Sequence, residues 1–201
     1  MAYESPSYTV PNRVPLPVSG TVLWGLDLSA NEFKPLQLAA GAITTITPLA
    51  TKILAGRAFS ASQIFESVSS GSSVVVSFTN PEGSGKTVSI VAIEVASFGQ
   101  AHIRVYRNPT VSGGTPVTTI NLNMASDNTP VCSVLHSVSW SGGELAHQTV
   151  LPGGSHIRAV GNLAEVGESV IIPPNYSILV ELTNKSASAV DASIRFIWTE
   201  E

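Results

Sequence analysis

A segment before the middle of the chain carries some of the residues of a phosphate-binding loop. It reads TNPEGSGKTV from Thr79 to Val88 and ends in GSGKT, the second half of the P-loop found in nucleotide-binding proteins. That loop needs a glycine where this chain has Asn80, and Pro81 removes a backbone N–H that could bind phosphate. It also needs a helix directly after Lys86, whereas the residues that follow are mostly β-branched and favour a strand. The sequence therefore predicts a hairpin loop between two strands, with Lys86 in solvent and no nucleotide site.

The histidines are the residues that most readily suggest a metal site. His102, His136, His147 and His156 show no close ligand spacing, and no cluster of acidic residues accompanies them. Histidines scattered over strands and surface are the simpler interpretation. His136 and His147 fall on neighbouring predicted strands, so that pair alone stays open as a metal-binding hypothesis. No metal or other cofactor is predicted.

Catalysis would need a nucleophile beside a histidine and an orienting carboxylate, or two carboxylates flanking a cleft. The chain contains no GxSxG nucleophile elbow, and serine is so frequent that a Ser–His coincidence carries little information. The acidic residues are dispersed. Glu94, in an apolar segment, is expected to pair with a basic neighbour such as Arg104 or to face solvent. The sequence thus predicts no catalytic residues and a protein that is not an enzyme.

Aromatic side chains at loop edges are the remaining candidates for a binding site, because rings stack on the apolar faces of sugars. Trp140 precedes a Ser-Gly-Gly turn, and Tyr176 follows a Pro-Pro-Asn turn. We predict Trp140 and Tyr176 as candidate ligand-facing loop aromatics, although covering the rim of the core is the commoner role of such a tryptophan. Phe196 and Trp198 belong to an alternating segment and are predicted to be core residues.

The elements that must position these residues are short strands separated by turns rich in Gly, Pro, Ser and Asn. The predicted strands cover residues 57–68, 73–79, 87–97, 102–106, 117–122, 131–140, 144–151, 169–172, 177–184 and 189–198. The last one alternates most clearly, with Ala192, Ile194, Phe196 and Trp198 on one face. Many short strands and no helix of ordinary length predict an all-β protein, an antiparallel β-sandwich of jelly-roll type. An immunoglobulin-like sandwich is the alternative, and its paired cysteines cannot form here.

The chain is predicted to consist of an arm, a connecting region and one main domain. Residues 1–20 contain four prolines and are expected to form an extended Pro-rich arm. The apolar residues of this arm are its candidate contacts with a partner: Tyr3, Tyr8, Val14 and Leu16. Residues 21–52 are expected to form short strands, with one helical turn considered within 26–33. Residues 53–201 are expected to form the β-sandwich.

Composition limits the classes of partner. Only 12% of the residues are charged and the net charge is −4, so a nucleic acid is not expected as a partner. The N-terminus lacks the apolar region of a signal peptide, and no uncharged apolar run is long enough to cross a bilayer, which predicts synthesis in a cytoplasm and no membrane partner. The single cysteine, Cys132, excludes an internal disulfide and is expected to be a small buried hydrophobe.

From about Ser70 onward the sequence resembles a family of structural proteins from tailed-bacteriophage virions. The resemblance covers roughly two-thirds of the chain and leaves the first third, with the arm, unmatched. It is carried by the segments 80–86, 104–117, 120–123, 171–175, 180–184 and 193–200.

The resemblance implies a capsid-associated role, such as a decoration or cement protein or a head fibre, and a jelly-roll-like domain without catalytic residues. The expected partners are the major capsid protein and sister subunits, as a homotrimer, and the expected location is the capsid surface of a virion made in the host cytoplasm. A carbohydrate-binding or receptor-binding module at a fibre or tail tip, contacting a host glycan, is the alternative.

Overall fold

The structure is a computed structural model that describes residues 24–27, 32–35, 48–152, 159–162 and 170–201. For residues 24–27, 32–35, 48 and 159–162 it describes the backbone alone. The elements in chain order are β1 (Trp24–Asp27), β2 (Glu32–Pro35), α1 (Pro48–Leu54), β3 (Ala58–Val68), β4 (Ser73–Asn80), β5 (Val88–Ser97), β6 (Ala101–Arg107), β7 (Thr110–Ser112), β8 (Thr115–Pro116), β9 (Thr119–Asn121), β10 (Ser133–His136), β11 (Ser139–Ser141), β12 (Glu144–Leu151), β13 (Ala159–Asn162), β14 (Val170–Ile172), β15 (Tyr176–Asn184) and β16 (Val190–Glu200).

The chain divides into two compact units, Met1–Ile46 and Thr47–Glu201. In the first unit, β1 and β2 pair antiparallel, with Leu26 opposite Phe33. The helical turn considered within 26–33 is therefore wrong for the four residues of that range that the structure describes. Apolar residues alternate in both segments, which favours strand pairing over a helix.

The second unit contains two antiparallel sheets. The first sheet has the strand order β12-β6-β15-β4-β10-β8, and the second has the order β13-β5-β16-β3-β9, with β14 also paired to β5. Strands β7 and β11 form a separate two-stranded ribbon. The predicted all-β, antiparallel β-sandwich is thus confirmed, while its jelly-roll type stays a prediction.

Neighbours in each sheet are distant in sequence. β15 lies between β4 and β6, and β16 lies between β3 and β5. Strands β3 to β6 alternate between the two sheets, with β3 and β5 in the second and β4 and β6 in the first. The long C-terminal strands therefore join the early strands into two sheets that face each other.

The core between the sheets is built around aromatic rings. Phe78 of the first sheet packs against Phe196 and Trp198 of the second, with ring centroids 5.4 and 5.1 Å apart, and Trp198 also contacts Phe59 at 5.8 Å. Phe196 and Trp198 are fully buried. The alternation in β16 therefore predicted its inward face correctly, and Cys132 is buried at the same core, as expected.

The segment between strands β4 and β5 is not a hairpin loop, so that prediction is wrong. β4 belongs to the first sheet and β5 to the second, and the segment carries the chain across the edge of the sandwich. Asn80 fixes this crossing, because its side-chain amide donates to the carbonyl oxygens of Lys86 and Ile172 at 2.9 Å each. A strand and not a helix follows Lys86.

The helix α1 was not expected from the sequence, which predicted short strands up to residue 52. The residues that start and end this helix can be recognised in the sequence. Pro48 is tolerated at a first helical position, and Gly56 adopts a left-handed φ of 66° after the last turn. The Gly56 amide donates to the Ile53 carbonyl at 2.9 Å, and the Arg57 amide donates to the Lys52 carbonyl at 2.9 Å. No helix in the described part of the chain is long and apolar enough to span a membrane.

The single strand predicted over residues 131–140 is two strands. β10 pairs with β4 in the first sheet, whereas β11 pairs with β7 in the separate ribbon. The break falls at Ser137, whose φ of 54° lies in the left-handed region and departs from extended strand geometry.

Candidate functional site

The residues predicted from the arm, Tyr3, Tyr8, Val14 and Leu16, lie outside the residues that the structure describes, and so does His156. The candidate contacts of the arm therefore stay predictions. The remaining candidates all lie in the second unit, where their positions can be compared.

Trp140 covers part of the outer face of the first sheet. It is half-buried, and its ring centroid lies 4.5 Å from that of Tyr106 on β6. Leu179 pairs with Tyr106 and is fully buried, although it lies between the inward-facing Ile178 and Val180 of β15. The ribbon of β7 and β11 thus brings Trp140 onto an apolar outer surface of the sheet.

Tyr176 is 44% exposed and begins β15 opposite Asn80 of β4. It is three residues from Leu179, and an odd separation along a strand places two side chains on opposite faces. Trp140 and Tyr176 therefore do not form one shared aromatic platform.

A polar cluster lies beside Trp140 on the same outer face. Arg104 and Glu181 form an ion pair with 3.5 Å between Nη1 and Oε2, and the Tyr106 hydroxyl lies 3.5 Å from the same Oε2. Arg104 therefore does not pair with Glu94, which was its suggested partner. Glu94 instead contacts Arg195 at 3.1 Å on the second sheet, because β5 pairs with β16.

The structure does not bring His136 and His147 together. They lie on β10 and β12, which are separated in the first sheet by β4, β15 and β6. At the usual spacing of strands, four steps across the sheet amount to about 19 Å. Among the described side chains, no three His, Cys, Asp or Glu residues are grouped as they would be around a metal ion.

An apolar patch lies on the outer face of the second sheet. Ile64 and Phe98 are 64% and 62% exposed and line an open cavity of about 460 Å³. Ala96 and Ser193 form part of its floor, and the carboxylates of Glu66 and Asp191 are also on its lining. We call Ile64, Phe98 and Ala96 the apolar patch. Because β-sandwiches bury one face of each sheet, these two large apolar side chains lie on the face that the core does not cover.

A polar pocket of about 460 Å³ lies at one end of the second sheet. Its lining residues among those described are Gly56, Arg57, Phe59, Lys86, Asp127, Asn128, Thr129, Val131 and Glu200. Strand pairing explains the arrangement, because Arg57 precedes β3, Glu200 ends β16, and Lys86 lies two residues before β5, and these three strands are neighbours. No local sequence pattern indicates this pocket, since its residues come from four separate stretches of the chain.

The base of the polar pocket is a buried carboxylate. Glu200 is only 4% exposed, and its Oε1 accepts hydrogen bonds from the Val131 amide, the Cys132 amide and the Trp198 indole at 3.0, 3.3 and 3.1 Å. Its Oε2 accepts one, from the Val131 amide at 3.1 Å. Burial, and then the charge of Glu200, raise the pKa of the Cys132 thiol far above its ordinary value. Burial and the raised pKa both disfavour the thiolate of Cys132, which is the reactive form of the thiol.

The protein is an antiparallel β-sandwich that carries an apolar patch, a polar pocket, and an outer sheet face on which Trp140 packs against Tyr106. No protein-family model matches the sequence, and no curated protein matches it at a significant level.

Proposed function

We propose that this chain is a structural protein of a tailed-phage virion that binds the outside of the capsid and decorates or stabilises it. Residues 1–20 anchor it, and the β-domain assembles with sister subunits as a homotrimer. The observation that carries the proposal is the apolar patch, because large exposed apolar side chains on a sheet face suit a protein that functions in an assembly. A charged fraction of only 12% suits the same role, since packed surfaces carry few charges.

We infer in addition that the sandwich is a jelly roll. The main strands of the first sheet have the order β12-β6-β15-β4, and those of the second have the order β13-β5-β16-β3. Early strands pair with late ones, and the connections between early strands cross from sheet to sheet, as two interleaved Greek keys require. In this topology the region from β7 to β11 is an insertion between β6 and β12.

The mechanism of stabilisation is mass action. A protein that binds the assembled shell, and not its separate subunits, shifts the equilibrium toward the shell. A trimer suits this role because its symmetry matches the three-fold axes of a capsid, and several weak contacts then act together.

The apolar patch gives the first test of assembly. Replacing Phe98 with aspartate adds a charge to the surface that the sister subunit is proposed to cover, and the desolvation of that charge opposes association. We expect the native chain to sediment as a trimer and the Phe98→Asp chain as a folded monomer with an unchanged circular dichroism spectrum. The exposed Met124, which lies outside the patch, provides the control: Met124→Asp should remain trimeric. A Phe98→Asp chain that stays fully trimeric would contradict a role of the patch in assembly.

Deleting residues 2–20 tests the anchor. We expect the shortened chain to keep the circular dichroism and unfolding temperature of the β-domain, and to lose co-sedimentation with phage heads that lack the protein. The full chain should bind such heads in a fixed ratio. Stoichiometric binding of the shortened chain would contradict the anchoring role of residues 1–20.

A carbohydrate-binding module at a fibre or tail tip is the second candidate. Tyr176 is exposed at a loop edge. Trp140 packs against Tyr106 with its ring tilted by 45°, beside the Arg104–Glu181 ion pair, and this mixture of rings and polar groups resembles that of sugar sites. This function predicts micromolar binding on a glycan array that Trp140→Ala or Tyr176→Ala weakens at least ~10-fold. Because the two rings lie on opposite faces, one variant alone should have this effect. An array without any bound glycan favours the capsid role.

A further inference from the structure

The polar pocket lies where three neighbouring strands of the second sheet end. β16 is the central strand of the three, so Arg57 before β3 and Lys86 before β5 flank Glu200 from its two sides. With neighbouring strands about 4.8 Å apart, the backbones of Arg57 and Lys86 are roughly 10 Å from each other. Two cations therefore face each other across a carboxylate at the base of a cavity.

The charged side chains of this pocket can form more hydrogen bonds and ion pairs than the structure gives them. Neither Arg57 nor Lys86 forms an ion pair in the part of the chain whose side chains are described, whereas Arg104, Arg107 and Arg195 each pair with a glutamate. Glu200 Oε2 accepts one hydrogen bond, from a Val131 amide that it shares with Oε1, and a carboxylate oxygen has room for two. Arg57, Lys86 and Glu200 therefore line the pocket without forming ion pairs with one another.

The loop that closes the pocket is held in place by its own hydrogen bonds. The side-chain amides of Asn121 and Asn128 both donate to the Gly56 carbonyl, at 3.0 and 3.2 Å. The Val131 and Cys132 amides bind Glu200 at the other end of the same loop. The pocket is thus preformed, which lowers the entropic cost of binding a ligand.

We propose that the polar pocket binds a monoanionic polyhydroxylated ligand, an acidic sugar. Arg57 and Lys86 contact the carboxylate of the sugar, and its hydroxyl groups donate to Asp127 and Glu200. Val131 is the partly exposed apolar residue of the lining and packs against the C–H face of the ring. The cavity of about 460 Å³ lies within the size range of small-molecule sites.

The charge balance selects this class of ligand. The carboxylates Asp127 and Glu200 lie beside the two cations and repel a second negative charge on a ligand, so a monoanion suits the pocket better than a dianion such as phosphate. A neutral sugar would leave both cations without a partner, and a hydrophobic ligand would leave all four charges unpaired. This inference is independent of the virion role, because it requires only the β-domain.

The test is a titration of the full chain, followed by NMR or calorimetry, with glucuronate, glucose and inorganic phosphate in turn. We expect saturable binding of glucuronate with a Kd near or below ~1 mM, and binding of glucose and phosphate at least ~10-fold weaker. Lys86→Ala and Arg57→Ala should each weaken glucuronate binding at least ~10-fold, without changing the unfolding temperature.

Lys185→Ala is the matched control, because Lys185 is an exposed lysine away from the pocket and its loss changes the net charge equally. It should leave glucuronate binding unchanged. The proposal is overturned if glucuronate does not saturate by ~10 mM, if phosphate binds more tightly than glucuronate, or if Lys86→Ala and Lys185→Ala have the same effect. None of these outcomes depends on phage heads, so they are separate from any failure of capsid binding.

Discussion

Replacing Trp198 with alanine is expected to lower the free energy of unfolding by about 3–5 kcal/mol. The side chain is fully buried and lies between Phe59 of its own sheet and Phe78 of the opposite one. Its loss removes contacts across the centre of the sandwich and leaves a cavity that the strands on both sides cannot close. It also leaves Glu200 without the hydrogen bond from the indole. Chemical denaturation followed by circular dichroism measures the change.

Ile64→Ala is the control for this prediction. Both residues lie on paired strands of the second sheet, but Ile64 is 64% exposed on the outer face. We expect its replacement to change the free energy of unfolding by less than about 0.5 kcal/mol when it is measured in the monomeric Phe98→Asp background, where no sister subunit covers Ile64. Equal losses for the two variants would contradict the assignment of the inward and outward faces of the sheet.

Glu200→Ala is expected to cost about 3 kcal/mol or more, since among the described residues Glu200 is the side chain that accepts from three N–H groups. The amide of Val131, the amide of Cys132 and the indole of Trp198 would then lack their partner away from water. Glu200→Gln keeps one acceptor oxygen and should cost about 1 kcal/mol. A smaller loss for alanine than for glutamine would show that these hydrogen bonds contribute nothing to stability.

The reactivity of the Cys132 thiol provides a second measurement of the effect of Glu200→Gln. Burial is the main cause of its raised pKa and the negative charge of Glu200 is the next, so Glu200→Gln lowers the thiol pKa. At the same alkaline pH, the thiol of the Glu200→Gln protein should therefore react faster with a disulfide reagent than that of the native protein. The reaction should remain much slower than in the unfolded chain, because burial is kept.

The strands were predictable because their signal is local. Alternation of apolar and polar residues, and turns of Gly, Pro and Asn, gave the segments 73–79, 87–97 and 144–151 to within one residue of β4, β5 and β12. The assignment of strands to sheets was not predictable in this way. β4 and β5 look like a hairpin in sequence, and only the pairing of β4 with β15 and of β5 with β16 separates them.

The candidate aromatic residues could be selected from local sequence, whereas the polar pocket could not. Trp140 and Tyr176 could each be selected because a turn lies next to it in the sequence. Their positions on opposite faces of the first sheet depend on the pairing of strands that are distant in the sequence. The polar pocket joins Arg57, Lys86 and Glu200 across more than 140 positions of sequence. The GSGKT segment suggested that Lys86 binds phosphate, and the residues that flank it exclude a phosphate-binding loop. Lys86 instead lines the polar pocket together with Glu200, a position that no local motif predicts.

The most direct test of the proposed virion role is electron microscopy of phage particles that carry the protein with a label on its C-terminus. We predict label on the outside of the capsid, in a fixed number of copies and at regularly repeated positions. Label confined to the tail tip would contradict the capsid role and favour the glycan-binding alternative. Absence of label from purified particles would contradict a virion role altogether.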